Sequence, residues 1–257
     1  MPGPRGRNLW PVGVVFRILA GRAAHEDIIL EAHLPPLEVE TSRFPKFAVI
    51  WLHGLGADGS DFLSVVPELG LATQPGIRFV FPHAPYLPVT CNGGYVMRAW
   101  YDIISLDSDS RRIDEAGIVA SRQSIRALID LEKERGIPAD HVFLVGFSQG
   151  GAVAYTTALT HPEKLAGLIA LSSYIPSPAL LTEESAIANR DIPIFAAHGT
   201  QDDVVLPSLG LAARKLLTER GYAVDWQQYP MPHSVCLEEI QAIGRWLAER
   251  MRAIDNG

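Results

Sequence analysis

Short runs of apolar and β-branched residues alternate along this chain with stretches whose apolar residues recur every three or four positions. The short runs predict strands at Ala48–His53, Arg78–Phe81, His141–Phe147, Ala166–Ser172, Pro193–Ala197 and Val224–Tyr229. Most are apolar on successive residues, the pattern of strands covered on both faces. Between them, Ile113–Arg135 carries Ile118, Ile125, Leu128 and Ile129 on one helical stripe and is ended by Gly136 and Pro138. Leu206–Arg220 and Cys236–Met251 show the same period. Alternating strands and helices predict an α/β architecture with a mostly parallel central sheet and helices on both faces.

No repeat or linker interrupts this series, so residues 34–257 read as one catalytic-sized domain. Residues 1–33 read as an extension, expected to be flexible; Arg5 and Arg7 before the apolar run Leu9–Phe16 imitate a signal peptide, but Arg17 breaks the run. Export is therefore a minority expectation beside a cytoplasmic one. Pro82–Asp109 stands apart as a long segment rich in proline, glycine and aromatic residues, read as an ordered functional loop.

The 257 residues are 47% hydrophobic, enough for a sizeable core, and carry a formal net charge of -7. That charge, without a basic block, argues against nucleic acid as a partner. No apolar run approaches the roughly 18 residues of a membrane span, so stable membrane insertion is not expected. Cys91 and Cys236 match no metal or redox spacing, and no HExxH, P-loop or EF-hand pattern occurs. No cofactor and no metal are expected.

The chemistry centres on "HVFLVGFSQGGAVAYTTALT", residues 141–160. Ser148 follows an apolar strand, precedes a helix of small residues, and is flanked by Gly146 and Gly150. This is the pattern of a nucleophile elbow, in which the serine backbone is strained and side chains at the flanking positions would collide. A serine hydroxyl needs a base, and the base needs an orienting acid; in this architecture the chain order is Ser, acid, His. Only His161, His198 and His233 follow Ser148. His161 lies at the end of the elbow helix and reads as its cap, and His198 reads as a structural residue at a strand end. His233, between the last strand and last helix, is the expected base. Asp202 and Asp203 both lie just past the preceding strand, and the local pattern does not separate them.

An oxyanion intermediate requires preorganised amide donors. Gln149, directly after the nucleophile, supplies one; Leu55, between the glycines of "WLHGLGADGSDF", supplies the other. Gly54, Gly56 and Gly59 also spell a dinucleotide-binding GxGxxG, but no acidic residue lies between Glu68 and Asp102 to hold a ribose. His53 and His83 read as hydrogen-bonded structural residues rather than ligands.

Taken together, "VIWLHGLGADGSDF", "FPHAPYLPVTCNGGYVMRAWYDI", "VGFSQGGAVA", "HGTQDDVV" and "MPHSV" make the chain from about Leu34 to Met251 resemble the phospholipase/carboxylesterase family. The likeness is to its bacterial carboxylesterase branch, relatives of the acyl-protein thioesterases. It implies the α/β-hydrolase fold, an acid at the fifth residue counted from the His of the "HG" pair, which is Asp202, and the donors Leu55 and Gln149. It also implies a possible homodimer. The expected activity is hydrolysis of small-molecule carboxylic esters of short to medium acyl length by Ser148, Asp202 and His233. Cleavage of longer acyl chains, as an acyl-protein thioesterase or lysophospholipase, is the alternative, and a silent binding protein of hydrolase fold is a remote one. Phe62, Tyr95, Trp100, Tyr174 and Val205 are the residues expected to shape the acyl pocket.

Overall fold

The computed structural model describes residues 34–71, 74–106, 111–181 and 184–256; the N-terminal extension lies outside them. In chain order the strands and helices are β1 (Leu37–Glu40), β2 (Phe47–Leu52), β3 (Ile77–Phe81), β4 (Tyr86–Val89), β5 (Tyr95–Arg98), β6 (Ile103–Leu106), β7 (Arg111–Ile113), α1 (Glu115–Glu134), β8 (Val142–Phe147), α2 (Gln149–Ala158), β9 (Gly167–Leu171), β10 (Ile194–Gly199), α3 (Pro207–Glu219), β11 (Val224–Tyr229) and α4 (Leu237–Asp255). Seven strands form one sheet in the order β1-β3-β2-β8-β9-β10-β11, parallel except for β1, which pairs antiparallel with β3. The six expected strands are its six parallel members, with ends shifted by a few residues at most.

Successive side chains of a strand point to opposite faces, and β2 shows the consequence. Ala48, Ile50 and Leu52 enter one core with Ile118, Ile125 and Ile129 of α1, Val153 and Ala154 of α2 and Leu217 of α3. Phe47, Val49 and Trp51 enter a second core with Ile240, Ile243, Leu247 and Met251 of α4. Helices thus cover both faces, and all six β2 side chains are buried.

Two features were not legible in the pattern. Strand β1, "LEVE", is short and half charged, and no strand is expected there. Its acids are held by ion pairs instead. Arg78 of β3 reaches Glu40 at 2.8 Å and Glu132 at 2.6 Å, and Arg135 reaches Glu38 at 2.6 Å and Glu132 at 2.7 Å. The network ties β1, β3 and the end of α1 together. The other feature is the loop expected over Pro82–Asp109, which contains the pair β4 with β5 and also β6, whose partner β7 lies just beyond it. The proline at 88 sits within β4, where a two-stranded ribbon leaves edge positions that tolerate its missing N–H.

Candidate active site

The site lies beyond the carboxyl ends of the parallel strands, where open α/β sheets leave a crevice. Ser148 follows β8, Asp202 follows β10, His233 follows β11, and Leu55 lies in the turn after β2.

Ser148 has φ 54 and ψ -118, the left-handed region that side chains avoid. The surroundings hold it there. Its N–H donates to Leu171 O at 2.9 Å, and its carbonyl accepts from Ser173 Oγ at 2.8 Å and from the Ala152 N–H at 3.2 Å. The glycines on either side answer to close backbone approach. A Cβ on Gly150 would stand 2.5 Å from both Leu52 O and His53 O, and one on Gly146 would strike the Gly150 carbonyl. The elbow helix α2 can therefore begin against the end of β2 only if both positions lack a side chain.

Ser148 Oγ lies 3.0 Å from His233 Nε2, and His233 Nδ1 lies 2.7 Å from Asp202 Oδ2. The serine hydroxyl donates to Nε2 when Nδ1–H donates to the carboxylate. Phe147 packs on the His233 ring at 4.8 Å between centroids. Asp202 is 3% exposed, whereas Asp203 is exposed to solvent. Oδ1 of Asp202 accepts the N–H groups of Val204 at 3.0 Å and Val205 at 2.8 Å. Burial alone would raise its pKa. Interactions with His198, His233 and the Val205 amide outweigh burial and hold the carboxyl well below the usual range, so it is ionised at neutral pH.

His198 is fully buried in β10, with Nε2 donating to Val205 O at 2.8 Å and standing 3.4 Å from Asp202 Oδ2. It is the structural residue expected, but it also touches the acid, which the sequence reading missed. Gly210 is the trace of this contact, since a Cβ there would collide with His198 Nδ1. The expectation for His161 is corrected. Its ring is buried and neither nitrogen has a hydrogen-bond partner, so it does not cap α2. Thr160 Oγ1 takes the Thr156 carbonyl near the helix end instead, at 2.6 Å.

Leu55 and Gln149 form no backbone N–H hydrogen bonds among the described residues. Gln149 opens α2, where the first amides have no intrahelical acceptor. Gly54 packs beside the nucleophile, its would-be Cβ 3.5 Å from Ser148 Cβ, which brings the Leu55 turn to the serine. The Gln149 side chain clamps the neighbouring loop, accepting from the Trp100 N–H at 2.8 Å and donating to Tyr101 O at 2.8 Å.

The five residues expected in the acyl pocket occupy different environments. Phe62 is buried behind Phe147, stacked on Trp51 at 5.1 Å. Trp100 is buried with Nε1 donating to His53 O at 2.9 Å, and the Tyr174 hydroxyl meets that of Tyr101 at 2.7 Å. Val205 is buried and contributes its backbone to Asp202 and His198. Tyr95 is 70% exposed on β5. Phe62, Trp100, Tyr174 and Val205 are buried and Tyr95 is exposed, so the five side chains share no single environment. Among the described residues no cluster of His, Cys, Asp and Glu could hold a metal ion, and no helix is long and apolar enough to cross a membrane.

The phospholipase/carboxylesterase family model matches residues 37–250. The chain is 42% identical over 228 residues to acyl-protein thioesterase 1 of Neurospora crassa, covering 86% of this chain and 93% of that one. Among solved structures, Arabidopsis thaliana SOBER1 superposes with a TM-score of 0.71 at 32% identity, covering 80% of this chain and 99% of that one. Zea mays acyl-protein thioesterase 2 gives a TM-score of 0.69 at 28% identity, covering 80% and 94%. These relatives are fungal and plant proteins, so the expected bacterial carboxylesterase branch is not supported. The chain belongs to the phospholipase/carboxylesterase family of α/β-hydrolases.

Proposed function

We propose that this protein is an acyl-protein thioesterase that cleaves the thioester between a fatty acyl group and a cysteine of a protein substrate. The observation that carries the reading is the continuous hydrogen-bonded line from Ser148 Oγ through His233 to the buried, ionised Asp202. The 42% identity to a protein named acyl-protein thioesterase 1 favours the thioester over the short-chain ester.

In this reading Ser148 Oγ attacks the thioester carbonyl carbon while its proton passes to His233 Nε2. Asp202 orients the ring and stabilises the imidazolium. The carbonyl oxygen becomes an oxyanion, held by the amides of Leu55 and Gln149. The intermediate collapses, the C–S bond breaks, and His233 gives its proton to the departing sulfur, so that the cysteine leaves as a thiol and the imidazole is neutral again. A thiol ionises near pH 8.5, so this departure needs less help from the acid than an alkoxide would. Water, deprotonated by His233, then attacks the acyl-serine; a second oxyanion forms and collapses to release the fatty acid and restore Ser148.

The site also offers apolar surface for an acyl chain. Val204 and Leu206 beside Asp202 are 54% and 37% exposed, and Tyr95 and Val96 of β5 are 70% and 56% exposed. The Arg98 carbonyl of β5 accepts the Gly56 N–H at 2.8 Å, which sets that strand against the Leu55 turn. The test is kcat/KM on an S-palmitoylated peptide beside p-nitrophenyl esters of two to sixteen carbons. Faster cleavage of the peptide thioester and rates that rise with acyl length are expected; a preference for two-carbon esters with no thioester cleavage would return the assignment to a short-chain carboxylesterase.

A further inference from the structure

His83 has no place in the chemistry described, yet its ring is joined to the turn that carries Leu55. Its Nδ1 accepts the Gly59 N–H at 3.1 Å. The next residue, Ala84, donates its N–H to His53 Nε2 at 3.0 Å, and His53 Nδ1 donates to Gly54 O at 2.7 Å. The 54–59 turn is therefore held at both ends by the single dipeptide His83–Ala84, once through each imidazole. Leu55 lies between the two attachments. Gly59 is shaped for this contact, because a Cβ there would strike the Phe81 carbonyl and stand 3.2 Å from His83 Cε1.

We infer that His83 is a positioning residue for acyl transfer, holding the Leu55 amide in line with the oxyanion through its acceptor bond from Gly59. Accepting at Nδ1 requires that nitrogen to be unprotonated. Burial and the Arg98 guanidinium lower the His83 pKa, against the opposing charge of Asp58, which keeps the acceptor available at neutral pH. His53 is held the same way, its pKa lowered to about 4 by burial. An oxyanion donor acts by preorganisation, so a turn loosened by one bond loses rate at the transition state while substrate binding is kept.

The inference rests on the assignment of Leu55 as an oxyanion donor, and three substitutions test it. Asparagine places its amide oxygen about where histidine carries Nδ1; glutamine places its amide near the Nε2 position; leucine has no acceptor. His83→Leu and His83→Gln are expected to lower kcat roughly 10- to 100-fold with KM within about twofold, and His83→Asn to stay within about threefold of wild type. The second readout is inhibition by an octyl trifluoromethyl ketone. Ser148 Oγ adds to its carbonyl, the proton goes to His233, and the resulting hemiketal oxyanion occupies the donors. Its inhibition constant should weaken by the same factor as kcat falls.

If His83→Leu fails to fold, the Asn and Gln pair still decides. Equal rates in Asn and Gln variants, or unchanged kcat and ketone affinity in the Leu variant, would overturn the inference. If the wild type itself neither cleaves acyl thioesters or esters nor binds the ketone, the proposed activity falls first.

Discussion

His198 Nε2 stands 3.4 Å from the same Asp202 oxygen that accepts from His233 Nδ1 at 2.7 Å. Asp202 Oδ2 thus faces two imidazoles. Only His233 reaches the serine. His198 instead ties the carboxylate to the Val205 carbonyl and fixes its rotation.

His198→Leu should therefore lower kcat by roughly 10-fold or more, because a freed carboxylate holds the His233 ring less well. It should also lower Tm, since Val205 O loses its buried donor at a cost of about 1–3 kcal/mol. His198→Gln, whose amide N–H can lie near the Nε2 position, should recover part of both. Steady-state kinetics beside thermal melts of the two variants measure this; full activity in His198→Leu would remove any role for the contact.

The line through Ser148 predicts that Ser148→Ala loses kcat by a factor on the order of 10⁶ without loss of fold. A fluorophosphonate probe should label wild type at Ser148 alone, read by peptide mass spectrometry. Between the adjacent acids, Asp202→Asn should cost roughly 10⁴ in kcat, and Asp203→Asn should stay within about tenfold, because Asp203 faces solvent. The reverse order would mean that the geometry seen at rest is not the geometry of turnover.

Gly150→Ala should be poorly folded. Its methyl would stand 2.5 Å from Leu52 O and His53 O, both on the backbone of β2 and its following turn, where no flexible group can yield. Overpacking of this kind costs about 1–3 kcal/mol or more. Soluble expression and urea denaturation report it, and a variant with wild-type midpoint would show that the elbow tolerates a side chain.

Glu239 is fully buried in the first turn of α4, where the Cys236 amide favours its charged form and burial opposes it more strongly. Burial pushes its pKa up to about 8, from 4.5 for a free glutamate. The folded state holds the proton more tightly than the unfolded one, so this group costs stability as pH rises from 4.5 toward 8 and costs nothing below 4.5. Glu239→Gln removes the ionisation while keeping the shape. The variant should match wild type at pH 4 and melt higher by at least about 2 °C at pH 8. Thermal melts across that range decide it; a constant difference at all pH values would contradict the burial argument.

Much of this molecule could be read from local pattern because local pattern was its cause. Most of the parallel strands are apolar on successive residues since both sheet faces are covered there, and a run such as "FAVIWL" has no other stable place; the edge strand β11, "VDWQQY", is the half-exposed exception. The elbow was legible for a similar reason: Gly146 and Gly150 record a close backbone approach in residue type alone. The order of Ser148, an acid and His233 followed from connectivity.

Tertiary structure decided whatever depends on where a side chain ends. Asp202 and Asp203 are identical residues on one loop, and only the path of that loop past β10 buries the first against His233 and turns the second to solvent. Phe62, Trp100 and Tyr174 are alike as aromatic residues in the sequence, and only packing and hydrogen bonds fix where each ring ends. Strand β1 is held by ion pairs to Arg78 and Arg135, partners far away in sequence that no local period reveals. The links of His198 to Asp202 and of His83 to Gly59 are of the same kind. Residue type carries burial and backbone crowding because these act on every neighbour at once; pairing between distant side chains is fixed only when the sheet has brought their strands together.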